Sequence, residues 1–183
     1  MKRFLFLAVV VCVTMCSAAY AADEAVGFKG INLGSDISEM EKDSRYKCHP
    51  DPNNAWHDSA CRLDSKEKET IAGSSISSPT LDYFANKLWQ ISIRFDSDDF
   101  QTVIDSLTTK YGKGKITKEK IQNKLGAVFV NEIVTWKKGN SNIVAKKFAS
   151  NLDKSSLRFY TDSGNSISKS RWKARDSSKA KDL

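Results

Sequence analysis

The stretch from Leu81 to Gly112 constrains the fold most, because it predicts two paired strands followed at once by the helix that covers them. Apolar and polar side chains alternate from Trp89 to Phe95, which is typical of a strand with one buried face. Ala85-Asn86-Lys87 separates this strand from an earlier one that starts at Leu81, and asparagine tolerates the positive φ of a tight turn. The stretch therefore predicts a β-hairpin at the centre of a sheet.

A helix is predicted directly after this hairpin. The cluster Asp96-Ser97-Asp98-Asp99 offers N-cap candidates, and its acids suit a helix N-terminus. Gly112 stands where a glycine commonly ends a helix. Between them, five apolar residues share one helical face: Phe100, Val103, Ile104, Leu107 and Tyr111. We expect this stripe to pack on the sheet as core.

The N-terminus has the features of a cleavable secretion signal over residues 1–21. A charged start precedes an apolar run from Phe4 to Cys16, and Ala19-Tyr20-Ala21 fits an A-x-A cleavage site. The run is shorter than the ~20 residues that span a bilayer, which disfavours a retained anchor. Lipidation at Cys12 or Cys16 is disfavoured because neither follows a small residue. The sequence predicts a periplasmic protein without an integral membrane segment after cleavage.

The charge that remains after cleavage is mild. Lys2 and Arg3 leave with the signal, so 27 of the 29 basic residues face 22 acidic ones, a net charge of +5. A dedicated nucleic-acid binder normally carries a stronger basic excess, and export also argues against nucleic acid. The remaining chain of about 162 residues suits one domain.

The two cysteines that remain after cleavage, Cys48 and Cys61, predict one disulfide, because paired thiols oxidise in an exported protein. A zinc site that adds His49 and His57 is the alternative. Its spacing is unlike that of a zinc finger, and the adjacency of Cys48 and His49 makes a shared tetrahedron awkward. We expect neither a metal nor a cofactor.

The remaining segments predict an α+β fold: a mostly antiparallel sheet with one or two helices packed on one face, and one disulfide. Residues 127–136, 142–148 and 156–160 are strand-like, and residues 116–121 form an edge strand or an extended loop. A short helix near the start has Ser35 or Asp36 as its N-cap. We expect a single domain over residues 22–163 and a charged helix or flexible tail, outside the core, over residues 164–183.

Several short motifs resemble an uncharacterised family of small exported proteins of Gram-negative bacteria. Members open with F-x-G-I-x-x-G, as Phe28 to Gly34 does, and a cysteine pair follows. An F-x-x-x-L element and a helix that closes in L-x-x-x-Y-G correspond to Phe84–Leu88 and Leu107–Gly112. The charged tail ends near K-D-L, as Lys181-Asp182-Leu183 does. The resemblance implies a periplasmic α+β domain and no particular activity.

The candidate functional site is the segment between the two cysteines, which we expect to be a loop with little regular structure. It contains both histidines of the predicted mature chain, and its candidate binding residues are Trp56, His57, His49 and Asp58. A disulfide-closed loop is ordered in advance, which lowers the entropy cost of binding, and tryptophan is a preferred hot-spot residue. We expect non-catalytic binding of a protein or an anionic envelope component; the alternative is that Trp56 folds down onto the domain.

Two other function classes stay open, a small hydrolase that uses the histidines of the loop and an assembly or structural factor of the envelope. No G-x-S-x-G motif occurs, and the S-x-x-K matches fit chance in a chain rich in serine and lysine. A second candidate surface is a lysine-rich edge, where the lysines either protect the edge from strand pairing or contact an anionic partner. Its residues are Lys113, Lys115, Lys118, Lys120, Lys124, Lys137, Lys138, Lys146 and Lys147.

Overall fold

The computed structural model describes residues 25–122 and 125–179. The predicted secretion signal over residues 1–21, Lys124, and the terminal Lys181-Asp182-Leu183 lie outside the described residues. Export and periplasmic localisation therefore stay predictions.

The described residues form three helices and twelve strands. The helices are α1 (Ile37–Glu41), α2 (Phe100–Tyr111) and α3 (Asp162–Lys179), and a 3₁₀ turn, Ser97–Asp99, precedes α2. The strands are β1 (Gly27–Phe28), β2 (Ile31–Asn32), β3 (Tyr46–Pro50), β4 (Ser59–Leu63), β5 (Glu69–Ile71), β6 (Ser74–Ile76), β7 (Thr80–Phe84), β8 (Lys87–Asp96), β9 (Lys115–Gln122), β10 (Val128–Lys138), β11 (Ser141–Lys146) and β12 (Lys154–Thr161).

One large antiparallel sheet organises the described part of the chain. Its strands follow one another in the order β3-β4-β7-β8-β12-β11-β10-β9, so β8 and β12 lie at the centre. The β5–β6 hairpin joins β8 through Ile76 and Phe95, and β1 pairs with β2 in a small separate sheet. The predicted class, α+β with a mostly antiparallel sheet, is confirmed.

The core lies between this sheet and α2. All five predicted apolar residues of α2 are buried, and they pack with inward-facing residues of the central strands, such as Ile91, Ile93, Leu157 and Phe159. Ile37 of α1 joins the same core, and Asp36 caps α1 by accepting a hydrogen bond from the Ser38 N–H at 3.1 Å.

Two turns of the central stretch form as predicted. Ala85 and Asn86 have φ values of 47° and 63°, the paired positive φ of a tight hairpin turn. Gly112 ends α2 with φ 81°, and its N–H donates to the Thr108 carbonyl at 2.9 Å.

The predicted role of the acidic cluster before α2 is wrong in one respect. Neither Asp96 nor Asp99 makes a side-chain cap bond. The 3₁₀ turn already gives Asp99 helical dihedrals, φ −84° and ψ 0°, whereas an N-cap residue is extended. The Asp96 carboxylate instead forms an ion pair with Lys154 of the adjacent strand.

The sheet face opposite α2 is called the open face. It carries the alternate residues of the strands, among them His49, Arg62, Asp82, Gln90, Arg94, Lys146, Ser156 and Arg158. Helix α3 packs on one end of the sheet, because Gly164 is buried directly against Trp89, where the register of β7 and β8 is irregular. The charged C-terminal segment thus forms a helix that contacts the sheet. None of the described helices is long and apolar enough to cross a membrane.

Candidate binding surface

The segment between the cysteines is a β-hairpin whose strands are joined by the predicted disulfide. Cys48 of β3 lies directly opposite Cys61 of β4, with Cα atoms 4.0 Å apart. The ladder continues past the disulfide as far as the pair Pro50 and Ser59. The expectation of a loop with little regular structure is therefore wrong except for residues 51–58. Pro50 is tolerated because it ends an edge strand, where the missing N–H removes little pairing.

Hydrogen bonds from the neighbouring hairpin fix the tip of this one. The Asp58 N–H donates to the Tyr83 carbonyl at 2.8 Å, and the Asp51 N–H donates to the Asp58 carbonyl at 2.7 Å. The Ala85 N–H donates to Asp58 Oδ2 at 3.0 Å. Partial burial by itself raises the pKa of Asp58, but the bonds from Ala85 and from the guanidinium of Arg171 lower that pKa overall. Asp58 thus joins the tip to β7 and its turn as a carboxylate.

Trp56 lies at the tip with 44% of its surface exposed. Its carbonyl accepts a hydrogen bond from Trp89 Nε1 at 3.0 Å. Its ring meets that of Trp172 edge to face, with centroids 5.4 Å apart and an interplanar angle of 64°. Trp56 is therefore packed against α3 on one side and open to solvent on the other. This is intermediate between an exposed binding residue and a Trp56 folded down onto the domain.

Helix α3 holds the hairpin through Arg171. Arg171 Nη1 lies 2.7 Å from Asp58 Oδ1, and the guanidinium stacks over Phe84, 4.5 Å from the ring centroid. Phe84 in turn stacks on Trp89 with centroids 5.3 Å apart. The sequence reasoning missed Arg171 and Trp172, although an Arg-Trp pair in an otherwise polar segment is a signal that could have drawn attention to them.

His57 points inward and forms the start of a polar chain across the open face. Its Nδ1 lies 2.8 Å from Asp82 Oδ1, although the ring is not aligned for a linear hydrogen bond. Asp82 Oδ2 accepts from Gln90 Nε2 at 2.8 Å, and Gln90 Oε1 accepts from Arg158 Nε at 3.0 Å. The contact with Asp82 raises the pKa of His57, although burial opposes that rise. The chain thus links the hairpin to the centre of the sheet.

The chemistry available beside His57 is limited. His57 and His49 line one small pocket of about 240 Å³, together with Pro50, Asp51, Ala60 and Arg62. The pairing of His57 with Asp82 resembles a base with its orienting carboxylate, but none of these lining side chains carries a hydroxyl or a thiol. His57 Nε2 instead faces Asp51 Oδ2 at 3.7 Å. The arrangement is that of an ion-pair network that stabilises the hairpin, and it gives no support to the hydrolase alternative.

The zinc alternative finds no geometric support. Cys48 and Cys61 are joined to each other, so neither offers a thiolate. In the described part of the chain, no three His, Cys, Asp or Glu side chains are grouped so that they could hold a metal ion.

The lysine-rich segments form a true edge, because β9 is the outermost strand and is exposed over nearly its whole length. Three of the eight described lysines of this edge have a counter-charge. Three ion pairs provide it: Lys118 with Glu132, Lys137 with Asp162, and Lys146 with Glu119. The exposed, outermost position of β9 fits the protective role of its lysines.

Comparison with protein-family models, curated proteins and solved structures finds no match to this chain. The family resemblance noted from its short motifs stays a prediction.

Proposed function

We propose that this chain is an exported, non-catalytic binding protein that engages a partner protein through the tip of its disulfide hairpin. The contact area, called the Trp56 surface, consists of the exposed sides of Trp56 and Trp172 and of Arg175, whose guanidinium lies 5.5 Å from the Trp172 ring centroid. One observation carries the proposal. Strands β7 and β8 and helix α3 all bond the tip, yet 44% of the Trp56 surface stays exposed.

Immobility and exposure together favour recognition. A partner-binding loop that orders only on contact loses about 0.5–1.5 kcal/mol for each rotamer-rich side chain that becomes fixed. Here the disulfide, the Asp58 bonds and the Trp89 bond already fix the tip. An exposed tryptophan on a rigid support supplies a large apolar contact at little further entropy cost.

The charges around the Trp56 surface indicate an acidic partner. Lys169 and Lys173 are exposed on α3, where Asp176 is the nearest acid in sequence. Arg171 is already paired with Asp58. A partner with an apolar centre and a carboxylate-rich rim would complement this pattern, because complementary rims raise association rates and exclude wrong partners.

The test is site-specific photo-crosslinking in the periplasm of the producing bacterium, with benzoylphenylalanine in place of Trp56. The matched control places the probe at Ile116, which is 52% exposed on the β9 edge and remote in the sheet order from the hairpin. We expect one protein adduct at position 56 that is absent at position 116.

Competition decides whether the adduct reports the proposed contact. Purified wild-type chain should suppress it, while Trp56→Ala should compete about 30-fold more weakly, as expected for a hot-spot tryptophan. Ile116→Ala should compete like the wild type. Equal competition by Trp56→Ala, or the same adduct from both probe positions, would refute the hairpin as the binding site.

A further inference from the structure

A second group of functional side chains lies on the open face at the centre of the sheet. The strand register places Arg94 of β8 opposite Ser156 of β12, and Ser156 opposite Lys146 of β11. In the next row, Ser92 lies opposite Arg158. Residues in one row are neighbours, and diagonal positions are within reach of long side chains. Arg94 and Lys146 therefore flank one serine, and Arg158 occupies a diagonal position with its guanidinium bonded to Gln90.

These side chains line a common pocket of about 340 Å³, called the Ser156 pocket and defined by Ser92, Arg94, Lys146, Ser156 and Arg158. Its volume lies at the lower end of the range for small-molecule sites, ~300–1,000 Å³. It lies on the face opposite α2, so the core does not fill it.

Two of the cations in the Ser156 pocket have no carboxylate in direct contact. Within residues 25–122 and 125–179, neither Arg94 nor Arg158 has a carboxylate within 4.0 Å, whereas Lys146 is paired with Glu119 at 2.8 Å. Among the described residues, the Arg158 guanidinium donates hydrogen bonds to the neutral amide oxygen of Gln90, whose amide nitrogen in turn donates to Asp82. Burial lowers the pKa of Arg158, which shows that its charge is held at a desolvation cost. A bound anion would offset that cost.

The hydroxyl groups complete the donor set. Ser92 and Ser156 are both half-buried on this face, and neither hydroxyl has a hydrogen-bond partner among the described residues. Hydroxyls and guanidinium groups that line one pocket from two adjacent strands suit an anion with several oxygens. Guanidinium groups match phosphate oxygens in bidentate geometry, and lysine adds a point charge.

We propose that the Ser156 pocket binds a phosphate group, either free or as a phosphate ester. This site is independent of the Trp56 surface, because it uses other residues at the centre of the sheet. The anion would lie between Arg94 and Arg158 and accept hydrogen bonds from the two serines.

The test measures binding of inorganic phosphate and of glycerol 3-phosphate to the purified chain by calorimetry at about 0.15 M salt, where diffuse attraction is screened. Flotation with vesicles of equal parts phosphatidylglycerol and phosphatidylcholine tests a lipid headgroup as the source. Arg94→Gln is the informative variant, because Arg94 is exposed and unpaired and its loss should leave the fold intact. The matched control is Lys47→Gln, which removes another exposed cation of the open face, on the edge strand β3.

We expect saturable binding of at least one probe. Arg94→Gln should weaken it about tenfold or more, as for loss of one charge-assisted hydrogen bond, and Ser156→Ala by a smaller factor. Lys47→Gln should change it less than about twofold.

Saturation by the soluble phosphates identifies a small-molecule site, and binding to vesicles alone identifies a headgroup site; both support the pocket. Absence of saturable binding to any probe, or equal weakening by Lys47→Gln, would overturn the proposal.

Discussion

Substitution of Gly164 by alanine should detach helix α3 from the sheet. A Cβ atom at this position would lie 2.4 Å from Trp89 Cβ and 2.7 Å from two carbons of the Trp89 ring. Carbon atoms in contact normally stand about 3.5–4.0 Å apart, so the helix must move by roughly 1 Å. Trp89 cannot yield easily, because its ring stacks on Phe84 and its Nε1 bonds the Trp56 carbonyl.

The net effect on stability follows from three contributions. Overpacking a buried contact costs about 1–3 kcal/mol. Weakening the partly exposed Arg171–Asp58 pair and the Trp56–Trp172 contact adds about 1 kcal/mol. Alanine gains about 1 kcal/mol over glycine through its helix propensity. We therefore expect Gly164→Ala to lower the free energy of unfolding by about 1–3 kcal/mol.

Urea unfolding followed by circular dichroism measures this change, and hydrogen exchange of the α3 amides shows whether the helix has detached. The control is Ser166→Ala, an exposed position on the same helix, which should change stability by less than about 0.5 kcal/mol. The close packing of Gly164 on Trp89 would be refuted if Gly164→Ala had the unfolding free energy of the wild type and the α3 amides kept their protection from hydrogen exchange.

Three further substitutions test other parts of the structure. Replacing Cys48 and Cys61 together by alanine should cost about 3 kcal/mol for a loop closed over a separation of 13 residues, and dithiothreitol should bring the wild type to the same urea midpoint. Asn131→Ala should cost about 2–4 kcal/mol in urea unfolding, because the buried amide bonds both the N–H and the carbonyl of Phe148. His57→Gln should destabilise the chain more at about pH 5.5 than at about pH 8.5, because a raised pKa stabilises the fold fully below the unfolded pKa of about 6.5 and this stabilisation disappears as pH rises through the folded pKa. An equal loss at both pH values would contradict the pairing of His57.

The centre of the fold could be predicted from the sequence because its signals are local. Alternation over Trp89–Phe95, helical spacing in α2 and the positive φ of Asn86 each depend on residues a few positions apart. The disulfide followed from the predicted compartment and the even cysteine count. These signals placed the sheet, its covering helix and the hairpin, but not the contacts between distant segments.

The attachment of α3 could not be predicted from apolar periodicity. Its sheet-facing stripe contains Gly164, Ser168, Arg171 and Trp172, of which Ser168 is only 1% exposed. Small and polar residues pack here because the helix comes close to the sheet, so a search for an apolar face finds none. The Arg171–Asp58 pair spans 113 residues of sequence, and no local pattern reports it.

The polar chain behind His57 was missed for a related reason. Asp82 and Gln90 occupy alternate strand positions, which predict a solvent-facing side. Both are buried in the structure, at 5% and 6% exposure. These positions are buried because the hairpin tip and α3 cover one end of the sheet. A buried carboxylate then needs the partners that His57 and Gln90 provide.

The groups that hold the hairpin tip in place differ from the side chain that we propose contacts the partner. The two roles can therefore be tested separately. The tip is restrained by the disulfide, by the Asp58 carboxylate and by the backbone carbonyl of Trp56. None of these is removed when the Trp56 side chain is truncated to alanine. Among the described residues, the ring contact that this truncation removes is the edge contact with Trp172, and such a pair contributes about 0.5–1.5 kcal/mol. A loss of partner binding far beyond that value in Trp56→Ala must therefore arise from contact with the partner, and not from a loosened loop.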